Sequence, residues 1–118
     1  MSDGVFTGYE YHKIDEVTKD NSIKKAIIIG KVVKINPIDL VIYVDDGTGI
    51  MPIEVAVPKL PNKGSTVRVF AKILRDNSLT GYSDVIQQIP DSIVNEVLAI
   101  EKDVKDEIKK RVDITKER

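Results

Sequence analysis

The hexapeptide Val44-Asp45-Asp46-Gly47-Thr48-Gly49 constrains the fold of this chain more than any other segment. A β-prone run, Leu40-Val41-Ile42-Tyr43-Val44, leads into it, and Ile50-Met51-Pro52-Ile53-Glu54-Val55-Ala56-Val57 leads out. Glycine takes positive φ without steric cost, and aspartate hydrogen-bonds its own local backbone, so Asp-Gly supplies turn chemistry. Two β-prone runs joined by such a turn make a hairpin. The function depends on which sheet that hairpin joins.

Strands are expected on both sides of it. Residues 23–36 form a long first strand, interrupted by Gly30 and closed by Asn36-Pro37. A glycine inside a strand marks a bend, a bulge or a barrel corner. Strand two is expected over 39–44 and strand three over 50–57. Two prolines, Pro58 and Pro61, break the chain before strand four, 65–74. That strand has the clearest period-two alternation. Val67, Val69, Ala71 and Ile73 share one face, and Thr66, Arg68, Phe70, Lys72 and Leu74 share the other. After the Arg75–Ser78 turn, strand five runs over about 79–87. Pro90-Asp91-Ser92 then starts a helix, with Asp91 or Ser92 as N-cap, that runs to about residue 111 or 112. Residues 1–16 read as an extended arm holding Phe6, Tyr9 and Tyr11, half of the chain's six aromatics. It is either disordered or covers a strand edge. Five strands are few for a sandwich, and a bent first strand lets a short sheet close on itself. The expected fold is all-β with an appended helix: a five-stranded OB-fold barrel over 17–90, preceded by the arm at 1–16 and followed by the helix over 91–118.

Composition removes several function classes. With 118 residues, 42% hydrophobic and 31% charged, the chain is expected to be one globular domain. It has no cysteine, so disulfides and thiolate chemistry are excluded. The single His12 cannot build a histidine metal cluster and has no nucleophile pattern around it. Gly47-Thr48-Gly49 is not followed by a helix, so the phosphate-cradle geometry is missing. Asp45 and Asp46 have no evident third ligand and read as turn residues. The expectation is a protein that is not an enzyme and uses no cofactor, metal or small-molecule substrate. No run approaches the length of a bilayer span and no signal-peptide pattern opens the chain, which points to the cytoplasm, near the nucleoid, with no membrane partner.

The net charge of −1 hides a polar layout. Residues 1–16 carry −3, residues 17–90 carry +3, and residues 91–118 carry −1. The barrel is thus the basic part, as a nucleic-acid binder requires. Single-strand binders also need aromatic faces for stacking. Tyr43 points outward if Ile42 and Val44 point into the barrel. Phe70 shares its face with Arg68 and Lys72, so it is either a base platform or a residue packed under the C-terminal helix or the arm. Tyr82 reads as structural. Lys31, Lys34 and Arg75 are further phosphate-contact candidates, as are Lys59 and Lys63 in the loop. On the helix, Ile93, Val97, Ile100, Val104 and Ile108 share a narrow stripe, widened at first by Val94 and Leu98. A helix of about 20 residues spans about 30 Å, more than a small barrel needs covered. The first half suits a cap and the second half suits contact with another chain.

The residues Ile29-Gly30-Lys31-Val32-Val33, Leu40 through Gly49, Ile53-Glu54-Val55 and Val67 through Ile73 resemble the OB-fold of single-stranded DNA-binding proteins. The resemblance is to the small or middle subunit of replication protein A in an archaeal form, over roughly residues 20–112. It implies single-stranded DNA as ligand, roles in DNA replication and repair, and a C-terminal helix that assembles with other OB-fold subunits into an oligomer. That family often places a helix between strands three and four, where this chain has two prolines. Its strand three commonly ends on a stacking aromatic, where this chain has Ala56-Val57-Pro58. Two alternatives stand beside it: a structural OB module that binds only protein, and an RNA- or tRNA-binding OB protein.

Overall fold

The computed structural model describes residues 8–76 and 78–116, with side chains up to residue 107. The elements are β1 (Glu10–Tyr11), α1 (Ile14–Lys19), β2 (Lys25–Asn36), β3 (Val41–Asp45), β4 (Ile50–Val55), β5 (Thr66–Leu74), β6 (Thr80–Ser83), β7 (Ile86–Ile89) and α2 (Val94–Lys116). A 3-10 turn, Asp91–Ile93, leads into α2. Residues 1–7, which include Phe6 of the expected arm, lie outside the described part.

Strand pairing closes a barrel. β2 runs antiparallel to both β3 and β5, and β3 is antiparallel to β4. β4 then meets β6 in parallel, and β6 and β7 both pair antiparallel with β5. The expected fifth strand is therefore two pieces, β6 and β7, broken at Asp84-Val85. The Ser83 hydroxyl accepts from the Val85 amide at 3.0 Å and donates to its carbonyl at 2.9 Å. The result is a five-stranded closed barrel followed by a helix, as the sequence predicts.

The alternation seen in the sequence fills the interior. Ala26, Ile28, Val32, Ile42, Val44, Met51, Ile53, Val67, Val69 and Ala71 are all buried there. Long β2 serves two neighbours in turn, and Lys31 is the crossover, in register with Thr66 on β5 and Asp45 on β3. Gly30 sits beside that crossover. A Cβ on it would stand 2.5 Å from the Asp45 carbonyl oxygen, so only glycine lets the two strands approach. A register shift between Val32 and Lys34 then inserts one extra residue. Before the bulge Val32 points inward, and after it Ile35 packs on the core. The bulge thereby turns Lys34 outward, opposite Tyr43.

The end of the barrel is plugged from the N-terminus. No helix forms between β4 and β5. Instead α1 delivers Ile14 and Val17 into the interior cluster. The hairpin turn holds the start of that helix. Asp46 Oδ2 accepts from the Ile14 amide at 2.8 Å, and Thr48 Oγ1 accepts from the Asp15 amide at 3.1 Å. The orphan amides of a helix N-terminus thus find acceptors 32 and 33 residues away. Asp45 Oδ1 and Asp46 Oδ1 accept from the Gly47 and Thr48 amides, which braces the turn itself. Helix α1 straddles residue 16, so arm and barrel are continuous rather than separate.

Candidate nucleic-acid interface

The barrel has two outward faces of opposite character. The first is formed by β2, β5 and β7 under α2. Tyr11, Ile27, Ile29 and Ile89 are buried there, with Tyr9, Phe70, Val94, Val97 and Leu98 packed against them. β1 extends this face by pairing in parallel with β2, which puts Tyr11 beside Ile27. Phe70 meets the Tyr9 ring edge-on at 5.6 Å between centroids. The Arg68 guanidinium covers the same Phe70 ring at 4.7 Å. Arg68 Nε also pairs with Glu101 of α2 at 2.5 Å, and Arg68 Nη1 donates to Gln87 at 2.9 Å. Glu101 is a buried charged side chain, 6% exposed. A carboxylate so placed needs its counter-charge, and Arg68 supplies it.

These contacts correct two placements expected from sequence. Phe70 and Arg68 do not form an open cationic platform, because α2 and Tyr9 occupy their face. The second reading of Phe70, packing under helix and arm, is the one that the structure adopts. Arg75 is also elsewhere than on a binding surface. Its Nη2 donates to the carbonyls of Val17, Asp20 and Ile23 at 2.9, 2.8 and 3.1 Å. It ties the end of α1 to the barrel. The alternation of β5 is legible in the sequence, but the element covering its outer face is not assignable from spacing alone.

The second face is formed by β3, β4 and β6, with the C-terminal part of β2 at one side and Lys72 of β5 at the other. It is open. Tyr43 is opposite Lys34 on β2 and opposite Pro52 on β4. The Lys34 ammonium stands over the Tyr43 ring at 5.2 Å. Two residues further along, Val41, Glu54, Tyr82 and Lys72 lie in register across β3, β4, β6 and β5. Glu54, Lys72 and Lys34 are exposed, as is Tyr82. Lys31 is exposed at the rim, in register with Asp45. The structure therefore brings together Lys31, Lys34, Tyr43 and Lys72 of the expected set. It adds Tyr82, which the sequence alone suggests is structural. The signal that points to Tyr82 is its parity, because Gly81 and Ser83 on either side are buried.

Helix α2 divides its apolar residues between two directions. Val94, Val97, Leu98 and Glu101 face the barrel. Ile93, Ile100 and Val104 of the expected interface stripe are exposed, at 39%, 61% and 49%. Ile108 lies on α2 beyond the described side chains. Between α2 and β7 runs a groove of about 450 Å³, lined by Arg68, Gln87, Ile89, Ile93, Val97 and Ile100 among others.

The few perturbed titrating groups cluster where the N-terminal segment meets α2. Burial first, and the Lys105 cation second, push the His12 imidazole below its ordinary range. His12 Nδ1 lies 3.3 Å from Lys105 Nζ, which also approaches Glu16 at 3.8 Å. The Lys13 amide, donating to Glu16, lowers that carboxyl. Among the described residues no group of three or more His, Asp or Glu is placed to hold a metal ion. No helix there is long and apolar enough to cross a membrane.

No family model and no curated protein matches the chain. Solved structures do. A hypothetical protein, YgiW from E. coli, superposes with a TM-score of 0.59 at 13% identity, covering 68% of this chain and 90% of that one. The S. pombe Stn1–Ten1 complex gives a TM-score of 0.59 at 18% identity, with 75% of each chain covered. A replication protein A heterotrimer bound to single-stranded DNA gives 0.54 at 20% identity. That match covers 64% of this chain and 63% of that one. At such identities the likeness carries the architecture alone, which is the OB-fold: a five-stranded barrel with an appended helix.

Proposed function

We propose that this protein is a non-enzymatic OB-fold subunit that binds single-stranded DNA on the open β3–β4–β6 face. It joins other OB-fold subunits through α2, in the manner of a small or middle subunit of an archaeal replication protein A-like complex at the nucleoid. One observation carries the reading. Two outward tyrosines, Tyr43 and Tyr82, share a face with Lys34 and Lys72. Aromatic rings that accept stacked bases, flanked by cations that meet phosphates, are what a single strand requires. Adjacent strands lie about 4.8 Å apart and Tyr82 is offset from Tyr43 by two residues, about 7 Å, along β4, so the two tyrosines stand roughly 12 Å apart, a span that an extended strand covers with one base between them. The neighbour solved with single-stranded DNA supports the same reading by its shared fold.

Fluorescence anisotropy with a labelled single strand and the matching duplex tests it. The single strand should bind more tightly, with affinity falling as salt rises, because phosphate contacts release counterions. Equal binding to both forms, or no dependence on salt, would overturn direct DNA binding.

A second reading, a module that binds only protein, is favoured by the stripe of Ile93, Ile100 and Val104 left exposed beside the α2–β7 groove. The occupant proposed for that groove is the corresponding helix of a partner OB-fold subunit. Light scattering of the assembled protein against the Ile100→Asp, Val104→Asp double variant separates the two. Loss of assembly with DNA affinity retained supports both roles. Loss of assembly in a protein that never bound DNA leaves the protein-only module.

A further inference from the structure

The centre of the open face holds a residue of the wrong charge for a strand binder. That residue is Glu54, in register with Val41 on one side and Tyr82 on the other. Tyr43 is its diagonal neighbour, opposite Pro52 two residues before Glu54 on β4. Such a diagonal spans about 7–8 Å, within reach of long side chains. Glu54 is exposed. Its carboxylate enters no salt bridge among the described residues. Lys34 is directed to the Tyr43 ring instead. The fold therefore gives Glu54 no structural task. On a surface that holds phosphates by charge, an unpaired carboxylate opposes binding, unless it meets hydrogen-bond donors of the ligand.

Single strands are read by splaying bases onto aromatic rings and hydrogen-bonding their Watson–Crick edges. A carboxylate is acceptor-only and takes two parallel donors well. Guanine alone presents two adjacent donors on that edge, N1–H and the 2-amino group. Adenine and cytosine place an acceptor beside their amine, and thymine flanks its single N–H with two carbonyls. We infer that Glu54 is a specificity residue that selects guanine for the position between Tyr43 and Tyr82. This rests on the reading of that face as a single-strand binder. Glu54 costs affinity for every other base by repelling its acceptors and the backbone.

The test uses the full chain and labelled alternating strands of about 16 nucleotides, the upper site size of one OB barrel. Thymine–guanine, thymine–adenine, thymine–cytosine, thymine–hypoxanthine and all-thymine strands are compared in lithium buffer, which prevents guanine quadruplexes. The guanine strand should bind about fivefold to tenfold more tightly than the others, the lower end for a bidentate base contact. Hypoxanthine, which lacks the 2-amino group, should lose part of that advantage. Glu54→Gln should melt with the parent and bring all five strands within about twofold. Tight binding with no guanine preference, or a preference that survives Glu54→Gln, overturns the role of Glu54 and leaves the face as a binder. Failure to bind any strand overturns both.

Discussion

The outer surfaces of β5 and β3 look alike in sequence and differ completely in the folded protein. On β5, Phe70 lies between Arg68 and Lys72. On β3, Tyr43 alternates with inward aliphatics and receives Lys34 from across the strand pair. Each is an aromatic with cations close by. In the structure the first is roofed by α2 and Tyr9, and its arginine is neutralised by Glu101. The second stays open, with its lysine over the ring. Local pattern determines which way a side chain points from the barrel. What covers it depends on elements far off in the chain, here the N-terminal segment and the C-terminal helix. A cation beside an aromatic is a packing device on one face and a docking device on the other.

The largest effect that would sharpen this contrast is on stability. Phe70→Ala should destabilise the protein by about 3 kcal/mol, the lower end of the range for truncating a phenylalanine, because Phe70 is only part-buried. Thermal melting should show it, while affinity of the folded variant for single strands stays within about twofold. Arg75→Ala should cost about 2 kcal/mol, since three carbonyls lose a charged donor. Urea titration checks this, and a pure loss of DNA affinity at unchanged midpoint would break the assignment. Tyr43→Ala should do the reverse. Affinity should fall about tenfold, equivalent to about 1.4 kcal/mol and within the range for one lost stack, with the melting temperature unchanged.

The smallest effect is on pH dependence, and it belongs to the covered face. His12 is held below its ordinary range in the folded chain, chiefly by burial and next by Lys105. The unfolded chain therefore binds that proton at higher pH than the folded chain does. Stability should fall as pH drops through the ordinary histidine range toward the lowered value. His12→Gln should flatten that part of the curve, measured by melting temperature against pH. Glu16, shifted downward, acts in a separate and more acidic window. Its contribution is present above the ordinary carboxylate range and fades as pH falls below it.

Much of the barrel is legible in the amino-acid sequence. The inward residues of β5, the interruption at Gly30, the hairpin turn and the long C-terminal helix all have local causes: side-chain parity, a missing Cβ, turn chemistry and an apolar stripe at helical spacing. The expected Asp91 or Ser92 cap does not form, and Asp91 accepts from the Thr66 hydroxyl instead. Three features have no such local cause. The helix α1 spans only six residues and opens at Lys13, not a residue type that caps; apart from the Glu16 carboxylate, which accepts from the Lys13 amide, its start is held by acceptors from the Asp46–Thr48 turn. The role of Arg75 depends on carbonyls more than 50 residues away. The fate of Phe70 depends on the direction in which α2 returns across the barrel. At the site, Tyr43 and Lys34 follow from parity and a bulge, whereas Tyr82 and Glu54 come together only because parallel pairing of β4 with β6 puts them side by side.

The measurement that bears most directly on the contrast between the two faces is an amide NMR titration of the whole chain with an unlabelled single strand. The shifts should concentrate on Lys34, Tyr43, Glu54, Lys72 and Tyr82, and leave Phe70, Arg68 and the α2 residues Val97 and Glu101 in place. Perturbations centred on α2 and Phe70, with β3 and β4 silent, would contradict the assignment of the open face as the DNA-binding surface.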